Sequence, residues 1–230
     1  QGQMGYMIQQ SLQNRLIREG YTYQVMTVVT QVVVDKEDPA FQHPTKPIGP
    51  FYSKEERKKI EQERGWKVVE DSGRGYRIVV PSPMPLRTVE TNIIQMLLDD
   101  DVVVIAAGGG GLPVVIEPNH TYKEVDAVVD KDLASSVLAR EIQADLFVIL
   151  TGVDKVAINF NTPEEKTFDE LHVDEAMAYF HQGHFPAGSM GPKIKAAVDF
   201  LENGGSEVLI TSIQEVGEAL EGNNGTRIVK

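Results

Sequence analysis

Two apolar, largely β-branched runs end abruptly in turn chemistry, and that pattern restricts the fold more than any other feature of the chain. The first, Val102-Val103-Val104-Ile105-Ala106-Ala107, runs into Gly108-Gly109-Gly110-Gly111; the second, Val125-Asp126-Ala127-Val128-Val129, runs into Asp130-Lys131-Asp132. Each predicts a buried strand delivered into a tight turn. Similar runs at residues 25–34, 146–150 and 208–211 alternate with helical spacing at residues 132–142, 174–181, from Pro192 onward and after residue 211. Near-continuous apolar runs belong in strands covered on both faces, and strands alternating with helices imply right-handed βαβ crossovers. The expected architecture is α/β, a three-layer αβα sandwich about a mainly parallel sheet, with residues 1–230 forming one domain.

The opening segment predicts a helix with Met4, Ile8, Leu12 and Leu16 on one face, stopped by Gly20. It begins Gln1-Gly2-Gln3-Met4, so the domain is expected to be incomplete at its N-terminus. Between residues 35 and 50 stand Pro39, Pro44, Pro47 and Pro50, which disfavour helix and central strand alike. Ser53 with Glu56 has the spacing of a capping box for a charged helix ending near Gly65, and residues 76–80 read as a strand before Pro81-Ser82-Pro83-Met84-Pro85. Residues 36–80 are therefore expected to form a small protruding lobe inserted in the domain. Beyond it, Thr88 is placed to cap a helix with Val89, Ile93, Met96 and Leu97 turned inward.

Composition narrows the partners. The 34 acidic against 22 basic side chains give a formal charge of −12, which argues against nucleic acid or an anionic membrane as a general partner. An anionic ligand must then be drawn by local lysines. With no cysteine there is no disulfide framework, thiolate nucleophile or cysteine zinc site, which fits a reducing cytoplasm. No run of about 18 apolar residues is present, and the expected molecule is soluble.

The turns themselves point to phosphoryl transfer. Glycines allow backbone N–H groups to converge on an anion, and a lysine between two aspartates supplies a positioned positive charge. Gly108–Gly111 lacks the G-x-G-x-x-G spacing, and Leu112-Pro113 disfavours the helix that a dinucleotide site needs there, although a plain tight turn would read the same way. Asp132 is placed to cap the following helix, and Lys131 to neutralise charge on a transferred phosphoryl group. In Gly188-Ser189-Met190-Gly191-Pro192-Lys193, proline is expected at the first helical position with Lys193 in the first turn. A lysine there opposes the helix dipole unless an anion is bound. Thr45-Lys46-Pro47-Ile48-Gly49-Pro50 fixes Lys46 in a stiff segment, although a loop lysine is more often solvated than catalytic. His181 and His184 lack a nearby acid or cysteine to complete a metal site, and Gly73-Arg74-Gly75 with Arg77 reads equally as an anion nest or a hairpin end.

Taken in order, these strings resemble the carbamate kinases of the amino acid kinase superfamily. The likeness runs through Thr30-Gln31-Val32-Val33-Val34-Asp35, the Pro44–Phe51 lobe string, Gly73-Arg74-Gly75, Val79-Val80-Pro81-Ser82-Pro83, the glycines, Val129-Asp130-Lys131-Asp132, Leu150-Thr151-Gly152-Val153-Asp154, and Gly188-Ser189-Met190 with Pro192-Lys193. The resemblance implies reversible transfer between ATP and carbamate, giving ADP and carbamoyl phosphate, usually run toward ATP in arginine fermentation by a cytoplasmic, magnesium-using homodimer. It implies that Lys46, Lys131 and Lys193 surround the transferred group and that Asp132 orients the lysines. Gly108, Gly109, Gly110 and Gly111 would bind phosphate, and Thr151, Gly152, Val153 and Asp154 with Gly188, Ser189 and Met190 would line the nucleotide side. The family's Leu-Gly-Gly-Asn-Ala and His-Gly-Asn-Gly-Pro loops have no counterpart here. A sister kinase with another acceptor, or a nucleotide-binding protein without turnover, are the alternative readings.

Overall fold

The computed structural model describes residues 1–71, 73–186 and 188–230. From the N-terminus, α1 (Gly2–Arg18) leads to β1 (Val25–Thr27) and β2 (Gln31–Val34), and a 3₁₀ turn (Pro39–Phe41) precedes β3 (Lys46–Tyr52), α2 (Lys54–Arg64), β4 (Val68–Glu70) and β5 (Tyr76–Val80). Next come β6 (Pro85–Thr88), α3 (Thr91–Asp99), β7 (Val103–Ile105), β8 (Leu112–Ile116), β9 (Tyr122–Glu124) and α4 (Lys131–Glu141). The C-terminal part holds β10 (Leu146–Thr151), the short strands β11 (Ala157–Ile158), β12 (Lys166–Thr167) and β13 (Glu170–His172), then α5 (Val173–His181), α6 (Met190–Glu202), β14 (Glu207–Ser212), α7 (Val216–Leu220) and β15 (Thr226–Val229).

These strands form separate sheet sections: β1-β7, β6-β2-β8-β9 and β10-β14-β15-β13, with a peripheral β3-β5-β4 sheet and a β11-β12 hairpin. The β1/β7, β2/β8, β10/β14 and β13/β15 pairs are parallel, as the buried apolar runs require. The main core lies where α6 covers β14 and β15: Ile194, Phe200, Leu201, Ile210 and Ile228 have no exposed surface. A smaller core joins Val32, Val34, Val115, Val129 and Ala134 and seats the start of α4.

Several expectations needed correction. Residues 25–34 do not form one strand: Thr30, fully buried, donates its hydroxyl to Val28 O while accepting from Ala107 N, and the chain passes from one sheet section to another. Residues 125–130 lie outside any ladder, because Val128 N bonds Pro81 O and a Pro-Ser-Pro segment cannot return the N–H groups that a strand needs. The face of α1 turned to the body is Gly5, Gln9 and Gln13, not Met4 and Ile8, which are exposed; Gln9 and Gln13 accept from Thr27 N and Val25 N along the β1 edge. In α3 the inward residue is Ile94, whereas Ile93 and Met96 face solvent. Thr88 ends β6 rather than capping α3; Glu141 accepts from both Thr88 N and Thr91 Oγ1 and thereby sets that helix's rotation. Among the strands, β15 was not anticipated; it inserts between β14 and β13 after the short α7. The capping box at Ser53 and Glu56 is present, with Gly65 in the left-handed conformation ending α2.

Candidate active site

Helices α4 and α6 pack side by side and run in the same direction. Near their N-termini, Lys193 Nζ donates to Asp132 Oδ2 at 2.9 Å; further along both helices, Ser136 Oγ donates to Asp199 Oδ2 at 2.7 Å. Two parallel helices therefore present their positive dipole ends at one place, where an anion is favoured. Lys131 Nζ reaches the same Asp132 oxygen at 3.2 Å, so one carboxylate oxygen holds both lysines. Their surroundings differ: the Lys193 and Asp132 side chains are 10% and 9% exposed, whereas Lys131 is 59% exposed. The Lys193–Asp132 pair is closed to solvent, whereas Lys131 reaches the same carboxylate from the solvent side.

Asp130, not Asp132, caps α4: its Oδ1 accepts from Asp132 N at 2.9 Å. Its other oxygen accepts from Lys46 Nζ, which arrives from the first residue of β3. Burial pushes the Asp130 carboxyl upward, but the Lys46 hydrogen bond and charge, the Asp132 N–H and the Lys131 charge outweigh it and hold the group below its ordinary range. Sequence reasoning missed Asp130, although it stood first in the Asp-Lys-Asp string and N-cap chemistry could have identified it. The three lysines, far apart in the chain, thus converge on two aspartates. One positive charge remains in excess, in a chain whose formal charge is −12.

The glycine turn divides into two halves. A side chain at Gly110 would collide with Val129 O, and one at Gly111 with Val32, so the turn seats against the approach to α4 at Gly110 and against β2 at Gly111. Gly109 has open space where a side chain would stand. The N–H groups of Gly108, Gly110 and Gly111 already bond Ala106 or Ala107 carbonyls. A cleft of about 320 Å³ opens at Gly108 and Gly109, walled by Gly5, Thr27, Val28 and Ile105. Thr27 Oγ1 on that wall is buried without a hydrogen-bond partner among the described residues.

Thr151 ends β10 in register with Ser212 at the end of β14, so Gly152, Val153 and Asp154 leave the sheet at the C-terminal edge of two parallel strands. Helix α6 starts at Met190, two residues earlier than the proline suggested, with Ser189 N and Gly191 N both bonded to Pro186 O and Gly188 in open space. His181 and His184 pack edge-on against Phe180 and Tyr179. Arg74 and Arg77 both stack on Phe51, their guanidinium carbons 4.8 and 5.2 Å from the ring centre, and Arg77 also pairs with Asp71.

Paired helix N-termini, clustered lysines and a glycine turn at the strand ends define a phosphotransferase of α/β type, and comparison with known proteins agrees. The chain belongs to the amino acid kinase family, whose model matches residues 16–212. It is 53% identical to the carbamate kinase of Thermococcus kodakarensis over 230 residues, covering 100% of this chain and 73% of that protein. The carbamate kinase-like protein YahI of Escherichia coli is 52% identical, again over 100% of this chain and 73% of the relative. Among solved structures, carbamate kinase from Giardia lamblia bound to citric acid superimposes with a TM-score of 0.92 at 43% identity, covering 100% of this chain and 72% of the other. The same enzyme bound to AMP-PNP gives a TM-score of 0.88.

Proposed function

We propose that this protein catalyses reversible phosphoryl transfer between ATP and carbamate, forming ADP and carbamoyl phosphate. The observation that carries the reading is the convergence of Lys46, Lys131 and Lys193 on Asp130 and Asp132 at the N-termini of two parallel helices. Carbamate is already an anion, so it can attack the γ-phosphorus without a general base. The protein's task is then to hold attacking and leaving oxygens in line and to neutralise the equatorial oxygens. Lys193, fixed by Asp132, supplies preorganised charge; Lys131 moves onto the phosphoryl oxygens; Lys46 closes from the β3 side.

Gly108–Gly111 take the phosphate side, and Thr151–Asp154 with Gly188, Ser189 and Met190 the nucleotide side. Among the described residues no group of three or more His, Cys, Asp or Glu side chains could hold a metal ion, and both site aspartates are committed to lysines. Magnesium therefore enters as part of the nucleotide substrate, coordinated chiefly by its phosphates. In this reading residues 36–80 are an inserted lobe that carries Lys46 over the site. The family resemblance supports a cytoplasmic homodimer working toward ATP in arginine fermentation.

The test is ATP formation from ADP and carbamoyl phosphate, with acetylglutamate, uridylate and other acceptors assayed in the reverse direction. Lys131→Met should lower turnover on the order of 10²-fold or more while leaving the melting temperature unchanged, since its side chain is exposed. Near-normal turnover would remove Lys131 from the mechanism. A second reading, a sister kinase with a different acceptor, is favoured by the kinase-like name of the 52%-identical relative, and preference for another acceptor would establish it.

A further inference from the structure

We infer that Asp199 is a positioning residue: with Ser136 and Arg140 it sets the register of α6 on α4 and so holds Lys193 against Asp132. Ser136 is completely buried and takes no part in the site described above. Its hydroxyl donates to Asp199 Oδ2 at 2.7 Å, and Arg140 Nη1 donates to Asp199 Oδ1 at 3.3 Å. Asp132, Ser136 and Arg140 follow one another at four-residue intervals, so they form a single stripe down α4. Lys193 and Asp199 are the residues of α6 that bond to that stripe among the described residues. Lys193 lies six residues, about 9 Å, before Asp199 on the same rigid helix, so a shift at the lower contact is transmitted to the upper one.

Three further bonds tie this knot into the fold. Arg140 Nη2 donates to Leu86 O in β6, immediately after the Pro81–Pro85 return from the β3-β5-β4 sheet. Asn203 Nδ2 donates to Asp199 O and Oδ1, anchoring the C-terminal end of α6. If Asp199 loses its carboxylate, a fully buried hydroxyl loses its acceptor and a half-buried guanidinium loses one of its two. The seam can recover them only by admitting water or by letting the helices slide. Either change loosens the geometry in which Asp132 holds Lys193.

The inference rests on Lys193 serving the transferred phosphoryl group, but its test does not need turnover. Acetylation of each lysine by acetic anhydride, read by mass spectrometry well below the melting temperature, compares Lys193 with Lys131 in the same molecule. In the unaltered chain, Lys193 should react far more slowly than Lys131, as its burial requires. In Asp199→Ala, the Lys193 rate should rise about 10-fold relative to Lys131, matching the loss of a charge-assisted hydrogen bond. Asp199→Asn keeps an acceptor for Ser136 and should restore most of the protection. It also serves as the informative variant should Asp199→Ala fail to fold: protection above that of Ser136→Ala is then expected, and equal or lower protection overturns the inference. A folded Asp199→Ala with unchanged relative labelling also overturns it, even with a lower melting temperature, because Asp199 would then be a stabilising contact only. If labelling shifts as expected but the unaltered chain transfers no phosphoryl group, the functional reading fails and the positioning role stands.

Discussion

The α4–α6 seam and the β3-α2-β4-β5 segment each deliver a lysine to the same pair of aspartates, but they hold it by different physics. Lys193 stands on a helix whose apolar face, including Ile194, Ala197, Phe200 and Leu201, is buried, and its ion pair is closed to solvent. Lys46 stands at the start of a peripheral strand, and α2 beside it has no buried residue. Beyond the buried Val68 and Val79, that segment is held by the half-buried i,i+4 pair Arg57–Glu61 and by cation–π stacking of Arg57 on Tyr76 and of Arg74 and Arg77 on Phe51. Its links to the body include the Lys46–Asp130 pair and the neck bonds Met84 N to Asp38 Oδ2 and Val128 N to Pro81 O. Basic side chains outnumber acidic ones over residues 36–80, although the whole chain carries 34 acids against 22 bases. The contrast separates a lysine set by core packing from one set by a removable charge pair.

The largest effect should come from breaking the buried side of this comparison. Asp132→Ala leaves Lys193 buried without its counter-charge, which should cost about 3–5 kcal/mol and lower the melting temperature by roughly 10 °C. The double change Asp132→Leu with Lys193→Met should recover most of that stability without recovering transfer, because an apolar pair can replace a buried ion pair in packing but not in chemistry. Equal melting temperatures for the unaltered chain and Asp132→Ala would show that the pair is open to water.

Glycines sharpen the same contrast. Gly110 and Gly75 both have positive φ, at 131° and 126°, but a side chain at Gly110 meets the buried Val129 carbonyl, whereas one at Gly75 stands 3.0 Å from Tyr52 O in the peripheral sheet. Gly110→Ala should therefore cost about 3 kcal/mol, and Gly75→Ala about 1–2 kcal/mol. Comparable losses in denaturant titration would mean that the peripheral sheet is as tightly packed as the body.

Lys46→Met tests the removable pair through pH. Asp130 is held below its ordinary value of 3.8, so its contribution is complete above that value and fades as pH falls through and below it. Without Lys46, burial dominates and the charged carboxylate becomes a cost at neutral pH. The unaltered chain should exceed Lys46→Met by about 1 kcal/mol at pH 7, the side chain being partly exposed, and the gap should narrow as pH falls below the ordinary value of 3.8. A gap independent of pH would mean that the pair contributes no net stability and that Lys46 acts through packing of its stem.

What the sequence revealed, and what it hid, follows the range of the interactions involved. The Ser53–Glu56 capping box and the strand at residues 76–80 were legible because their determinants lie within a few residues. Lys131 and Lys193 stood out from local signals, the one between two aspartates and the other beside a proline at a helix start, whereas Lys46 was singled out only by the family resemblance. The split of residues 25–34 was not, since it depends on Thr30 meeting Ala107, 77 residues away. The inward face of α3 was misjudged for a related reason: Glu141, from another helix, holds its start. Asp130 was hidden differently. Two aspartates flank Lys131, and only the observed N-cap geometry separates the one that caps α4 and holds Lys46 from the one that holds Lys193.

The smallest expected effect decides whether the peripheral segment is a unit of its own. Ser53→Ala removes the hydroxyl that accepts from Glu56 N, and Glu56, held below its usual carboxylate range by the Ser53 backbone and side chain, loses half of a reciprocal arrangement. The local cost should be about 1 kcal/mol. If α2, β4 and β5 open independently of the body, amide exchange should quicken throughout them and leave α4 and α6 unchanged, because a weak peripheral unit absorbs the whole perturbation. If α4 and α6 also quicken, the segment and the body open together. Lys46 would then be as firmly placed as Lys193, and the distinction between the two lysines would be one of burial alone.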